Sequence, residues 1–392
     1  MKYSLLHIMM LCMLLSLTAC QDDDSSSETP KVKTVLMYLP WTGAETGSSG
    51  SLYNFFNENI NDIEQAIVEQ GGLGSTRLLV YIAKSYTQAA LVDITYKNHK
   101  CVRDTLKKYT NPDVTTETGI RTILEDAYVA SPTPTYAMII GSHATGWLPR
   151  GSTPWKPSQN AAPRRAYGGQ TTATQAEVTT LAQAITHSSI GTVQYICFDD
   201  CYMCNIETAY ALRHCTKYLV ASTSEIMDVG IPYKKVWKYL ANEPDYKSVC
   251  DEYLAFYQSY KYPYGTLSTV DCSKVEQIIP LVKSFNATST ISSEALAQVQ
   301  PLDGFTSTVF YDFMDYINHS TADEAMKTDI KAVIDNIVVY TVTTPTIFSQ
   351  FLNNSNHSYK VNTSSGITIS DPSVNPTAID SKKNTEWWKA TH

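Results

Sequence analysis

Two short, unbroken apolar runs constrain this chain most, Tyr136-Ala137-Met138-Ile139-Ile140 and Tyr195-Ile196-Cys197-Phe198. Each lacks the alternation of a half-exposed strand and is short for a helix, so each reads as a strand buried on both faces, the kind found inside parallel sheets. Helices and strands alternate around them. Val32 to Leu39 is an earlier strand, and an amphipathic helix follows through Phe55, Ile60, Ile63 and Ile67, ended by Gly71-Gly72. Arg77 to Ala83 is the next strand and Cys101 to Leu106 a short edge element; a helix from about Thr116 through Ile120, Ile123, Leu124 and Ala127 then leads into the Tyr136 run. Ala176 to Ile190 is the helix before the Tyr195 run, and Lys217 to Ala221 and Gly265 to Asp271 are later strands. This order predicts an α/β fold with a mostly parallel sheet and helices on both faces.

Chemistry-bearing residues follow both runs. The first continues into Gly141-Ser142-His143-Ala144-Thr145-Gly146-Trp147, and the second into Asp199-Asp200-Cys201. Strand ends of a parallel sheet share one edge, where ligand crevices form, so an imidazole and a thiol can meet there as in Cys/His nucleophilic enzymes. Met203, Ile206, Ala209, Tyr210 and Leu212 recur at helical spacing, which predicts that Cys201 sits where the strand turns into a helix, with the dipole favouring a thiolate. The plainer reading is a buried small hydrophobe. Two rivals use the same cysteines: Cys197, Cys201 and Cys204 with His214 and Cys215 as a zinc site, or Cys201 and Cys204 as a redox pair. Apolar intervening residues count against the first, and the lack of a thioredoxin-like flank against the second. Gly71-Gly72-Leu73-Gly74 precedes a strand and does not open a helix, the reverse of a dinucleotide fingerprint.

The ordered set His143-x-x-Gly146-Trp147, Asp199-x-Cys201-x-Met203 with Glu207, Ala221-Ser222 and Gly230-Ile231-Pro232-Tyr233 resembles the clostripain family of cysteine peptidases over roughly residues 33 to 285. The resemblance implies a caspase-like three-layer α/β/α sandwich, with His143 and Cys201 as the catalytic dyad and backbone N–H groups at Ala144 and Cys201 as the oxyanion hole. Glycine is usual after the histidine, and Ala144 stands there in this chain. An N–H is still supplied, although a tighter backbone conformation can be lost. Asp199 and Asp228 flank the crevice; such acids commonly cap helices or hold loops, but the resemblance implies that they bind a basic side chain before the scissile bond. No third triad member is visible, and none is implied.

The chain opens as a bacterial signal peptide, with Lys2, an apolar core from Ile8 to Leu17 and the box Leu17-Thr18-Ala19-Cys20. Residues 1–19 are expected to be removed and Cys20 lipidated, with residues 20–31 forming an acidic tether of the type that carries lipoproteins to the outer face of the outer membrane. Residues 32–285 are then the peptidase domain, 286–352 a helical C-terminal subdomain and 353–392 a polar extension. Hydrophobic content of 43% supports a large core, while a net charge of −8 argues against nucleic acid as a partner. A monomer acting on peptides with basic residues is expected. No cofactor is required for the chemistry, and a structural or activating calcium is left open. Nine cysteines, less Cys12 with the signal and Cys20, leave an odd number and hence at least one free thiol or an intermolecular bond.

From Leu148 to Gln170 runs a long loop containing Lys156, Arg164 and Arg165. It reads as a surface loop or, by the resemblance, as a segment cleaved by the enzyme itself. Phe310 to Met314 and Met326 to Val339 read as helices, and the last forty residues, with Trp387-Trp388, carry no decisive periodicity. The other class of function is a noncatalytic surface lipoprotein that uses the fold for binding; intact His143 and Cys201 oppose it.

Overall fold

The first strand, β1 (Lys33–Leu39), is buried along its whole length. Its side chains divide by the two-residue period of a strand, Leu36 and Tyr38 entering one core and Val35, Met37 and Leu39 another. The structure is a computed structural model that describes residues 30–40, 52–152, 167–168, 174–352 and 354–392. The expected signal peptide, Cys20 and its tether, and Lys156, Arg164 and Arg165 lie outside the described residues.

Nine strands form the central sheet: β1, β2 (Thr76–Ser85), β3 (Gln88–Lys97), β4 (Lys100–Thr110), β5 (Thr135–Gly141), β6 (Val193–Asp199), β7 (Thr216–Ala221), β8 (Thr266–Asp271) and β9 (Val338–Thr343). Their spatial order is β9-β8-β7-β6-β5-β1-β2-β3-β4. β1, β2, β5, β6 and β7 pair in parallel, whereas β3 and β8 run against the rest. The sheet is therefore mostly parallel, with an antiparallel strand let in near each edge.

Helices cover both faces. One carries α1 (Leu52–Glu69), α5 (Tyr233–Ala241) and α6 (Tyr246–Ser259), which bury Ile60, Ile63, Trp237, Leu240, Tyr253 and Tyr257. The opposite face carries α2 (Glu117–Ala130), α3 (Val178–Thr186), α4 (Ile206–Leu212), α7 (Ile279–Thr288), α8 (Glu324–Ile337) and α9 (Glu386–Thr391). The Thr116 side chain accepts the N–H of Gly119 and starts α2 where its sequence position indicates. This is the three-layer α/β/α sandwich that the alternation of elements called for.

Three departures are informative. β3 does not stand out as an apolar run because it pairs with β2 on one side and the exposed β4 on the other, so burial alternates along it. The element near Cys101 is an eleven-residue edge strand, β4, with Lys100, Lys107 and Lys108 exposed along it, as suits an edge that must not recruit another chain. After α8 the chain does not remain helical or leave the sheet. Val338–Thr343 becomes β9 and pairs with β8.

Candidate active site

The last parallel rung between β5 and β6 pairs Gly141 with Asp199. Both chains leave the sheet at that edge, His143 lying two residues beyond one partner and Cys201 two residues beyond the other. Both residues line one cleft of about 290 Å3, at the small end of ligand pockets.

The loop bearing His143 is shaped by Gly146, whose φ of +62° favours glycine. A Cβ there would lie 2.7 Å from the Phe310 ring and 2.9 Å from Asn205 Nδ2. Trp147 then anchors the loop, its indole N–H donating to Ser370 Oγ at 2.8 Å. Ala144 is buried directly after the histidine.

Cys201 does not open a helix, contrary to the expectation from spacing. Tyr202 takes a left-handed φ of 63°, and α4 begins only at Ile206 with Asn205 Oδ1 capping the N–H of Thr208. The intervening turn has other partners. Tyr202 N–H donates to Ser224 O at 2.9 Å, Cys204 N–H to Ser222 O at 2.8 Å, and Asn205 Nδ2 to Tyr202 O at 2.7 Å. The apolar residues spaced as a helix are therefore a tight turn followed by a short helix. The macrodipole fades within a turn, and a dipole at the thiol itself is the Ile226 N–H, which donates to Cys201 Sγ at 3.3 Å.

Asp199 forms part of the cleft wall and is buried. Its carboxylate accepts the Ile231 N–H at 3.1 Å, the Tyr233 hydroxyl at 3.0 Å and Asn59 Nδ2 at 3.4 Å. Burial pushes its pKa up to about 6, against the pull of these donors. Gly230, at φ +70°, makes room for it, because a Cβ there would come 2.5 Å from Asp199 Oδ2. Asp228 also lines the cleft but is exposed, whereas Asp199 is buried. A tight loop from Ser222 to Gly230 carries it outward.

Several residues of the cleft lie outside the motifs. Glu225 is buried and accepts from Tyr202 OH at 2.8 Å, Ser349 Oγ at 2.6 Å and Gln350 N–H at 3.1 Å. It thereby holds the segment of Phe348 and Gln350, which line the cleft together with Leu52 and Phe56. Tyr262 completes an aromatic side. Glu225 lies in the polar loop after β7; Phe348 and Gln350 carry no local signal. Asp200 is fully buried beside Cys201 and accepts the N–H of Ser142. Glu207 is likewise buried, accepts the Ser370 N–H at 2.7 Å, and is pushed up to about 8 by burial and then by Asp371.

The rival cysteine cluster is split by the sheet. Cys197 packs with Cys250 in one core, while Cys204 and Cys215 lie in the other with Cys272. Among the described residues, no two cysteines are joined by a disulfide. Among the described residues, no three His, Cys, Asp or Glu side chains converge to hold a metal ion.

A thiol and an imidazole on paired strand ends above an acid-floored cleft are the furniture of a cysteine hydrolase. The clostripain family model matches residues 45–379. A secreted C11 cysteine protease from Bacteroides thetaiotaomicron, "iotapain", is 36% identical over 93% of this chain and 99% of that chain, with a TM-score of 0.84. A clostripain from Bacteroides thetaiotaomicron ATCC 29148, in complex with the peptide inhibitor BTN-VLTK-AOMK, is 37% identical over 58% of this chain and 99% of that one, with a TM-score of 0.55. An inactive zymogen C11 protease from Parabacteroides distasonis shares the fold at 24% identity, covering 93% of this chain and 99% of that chain at a TM-score of 0.76. No curated protein matches. The chain belongs to the clostripain family and is a cysteine peptidase.

Proposed function

We propose that this peptidase hydrolyses peptide bonds after arginine or lysine through a dyad of Cys201 and His143. The observation that carries the reading is the shared rung: His143 and Cys201 each stand two residues beyond Gly141 and Asp199, and both line the cleft that Asp199 and Asp228 line. Cys201 Sγ attacks the carbonyl carbon, and its proton passes to His143. The oxyanion is held by backbone N–H groups near Ala144 and Cys201. As the tetrahedral intermediate collapses, His143 protonates the departing amine, leaving a thioester on Cys201. Water then attacks the thioester with His143 as base, and the acid product leaves with the thiol restored. These steps draw on the thiol and imidazole alone.

Asp199 and Asp228 supply the preference for a cation, the first in a dry wall and the second at the rim. The relative bound to an inhibitor with the peptide VLTK supports a basic residue at that place. Short peptides carrying each of the twenty residues before the bond test the reading. Cleavage after arginine and lysine is expected, with none from Cys201→Ala. A preference for an acidic or apolar residue would remove the pocket assignment, and a fully active Cys201→Ala would remove the dyad.

The same reading includes an anchored, surface-exposed enzyme, lipidated at Cys20 in the outer membrane; the description of one relative as secreted supports export. It also includes self-cleavage after Lys156, Arg164 or Arg165. Mass spectrometry of the protein from its native host should find an acylated Cys20 and a nick at one of those bonds that is absent from Cys201→Ala. An unmodified mature N-terminus would exclude the anchor, and an intact active chain would exclude the nick.

A further inference from the structure

The regular ladder between β5 and β6 ends at Gly141 and Asp199. One residue further, the chains are joined by a side chain instead, since Asp200 Oδ1 accepts the N–H of Ser142. One residue further again stand His143 and Cys201. The carboxyl of Asp200 therefore occupies the place of the next rung, between the last paired residues and the two that react. We infer that Asp200 is a positioning residue, which sets the separation of His143 and Cys201, and with it the Ala144 N–H, by bridging the two strand ends.

This inference rests on the proposed dyad and adds a residue to it. A carboxyl is a costly choice for a purely structural bridge here. Asp200 is 1% exposed, and its second oxygen, Oδ2, has no hydrogen-bond partner. Burial, and the neighbouring Asp199 in addition, drive its pKa well above the carboxylate range, against the hydroxyl and the N–H of Ser142. An apolar residue would spare the fold an unsatisfied buried oxygen. What it could not supply is an acceptor that reaches across to Ser142. Asp200 also lines the cleft, so the bridge lies at the reacting groups and not behind them. Backbone hydrogen bonds fix strand spacing within the sheet; beyond the last rung between these two strands, the Asp200 side chain supplies the contact from one strand end to the other.

The test compares Asp200→Asn, which keeps an acceptor oxygen, with Asp200→Ala, which does not. Peptidase kinetics are measured on an arginine substrate, and the rate of Cys201 alkylation by iodoacetamide is followed from pH 5 to 9. Misplacement of reacting groups by about 1 Å costs on the order of 100-fold in rate, so Asp200→Ala is expected to lose about 30-fold or more in kcat with KM within about twofold. Its alkylation profile should lose the acidic limb of a thiolate–imidazolium pair and move toward an ordinary thiol near about 8.5. Asp200→Asn should keep both properties within about threefold of the parent. A purely structural bridge would lower thermal stability in both variants without changing the alkylation profile. Wild-type kcat and profile in Asp200→Ala would overturn the inference, as would equal damage in a folded Asp200→Asn. If Asp200→Ala does not fold, Asp200→Ser, whose hydroxyl falls short of Ser142, takes its place. The dyad is judged separately: activity surviving in Cys201→Ala defeats both proposals, whereas an inert Cys201→Ala beside a fully active Asp200→Ala defeats only this one.

Discussion

Asp199 sets a charge in the cleft against the stability of the fold. Its pKa stands at about 6 because burial outweighs the Ile231 and Tyr233 donors. A folded-state value above that of the unfolded chain means that the native state holds the proton more tightly, so the contribution to stability is fully present in acid and is lost as pH rises through about 6. At pH 8 the charge is in place for a guanidinium and is a burden without one. Asp199→Asn should therefore raise the thermal midpoint at pH 8 by a few degrees, the equivalent of roughly 1 to 2 kcal/mol, with no gain at pH 3.5. In the same protein kcat/KM for an arginine substrate should fall by about 30-fold or more. Calorimetry at both pH values beside steady-state kinetics checks this; a variant that is less stable at pH 8, or equally active, would contradict it. Asp199 and Cys201, two residues apart in the sequence, line the same cleft. The sequence could not show the three donors, which come from Asn59, Ile231 and Tyr233.

Among the elements, α9 gives the last residues of the chain a purpose that their polar composition conceals. Trp387 is fully buried, its ring 6.0 Å from Tyr210 on α4 and 6.4 Å from Phe313, with its indole N–H donating to Asp371 at 3.1 Å. α4 is the helix that follows the Cys201 turn, and Glu207 on it holds Ser370. The C-terminal segment thus packs behind the turn while Phe348 and Gln350 line its front. Trp387→Ala should cost about 3 to 5 kcal/mol, because a large cavity opens and Asp371 loses a donor. Urea unfolding measures it, and a loss under 1 kcal/mol would show that α9 packs only loosely. Periodicity could not reveal this helix, since six residues are too few to establish a face.

For the whole molecule, several carboxyls are buried and share one direction of shift. Burial sets Asp303 and Asp371 at about 7 and Glu207 at about 8, with Asp199 at about 6. Each binds its proton more tightly when folded, so stability should fall as pH rises from 6 through 8. Lys33, lowered to about 8 by burial, stays protonated in both states over most of that window and offers little opposition. The thermal midpoint is expected to be lower by several degrees at pH 8 than at pH 5. A midpoint that rises steadily across pH 6 to 8 would mean that these groups are solvated.

Local sequence determined the α/β class, the central strands β1, β5 and β6, and the edge at which His143 and Cys201 emerge. Those properties follow from burial on both faces and from a two-residue period, which act over neighbouring residues. Tertiary structure alone decided that Cys201 lies in a turn and not at a helix start, because the turn is held by Ser222 and Ser224 from the far side of β7. It also decided that β3 and β9 join the sheet, that Glu225 ties Ser349 and Gln350 to the cleft, and that Asp200 reaches Ser142. Each of these is a contact between residues distant in the chain. Pattern within a window records which side of an element is buried, but not what is buried against it.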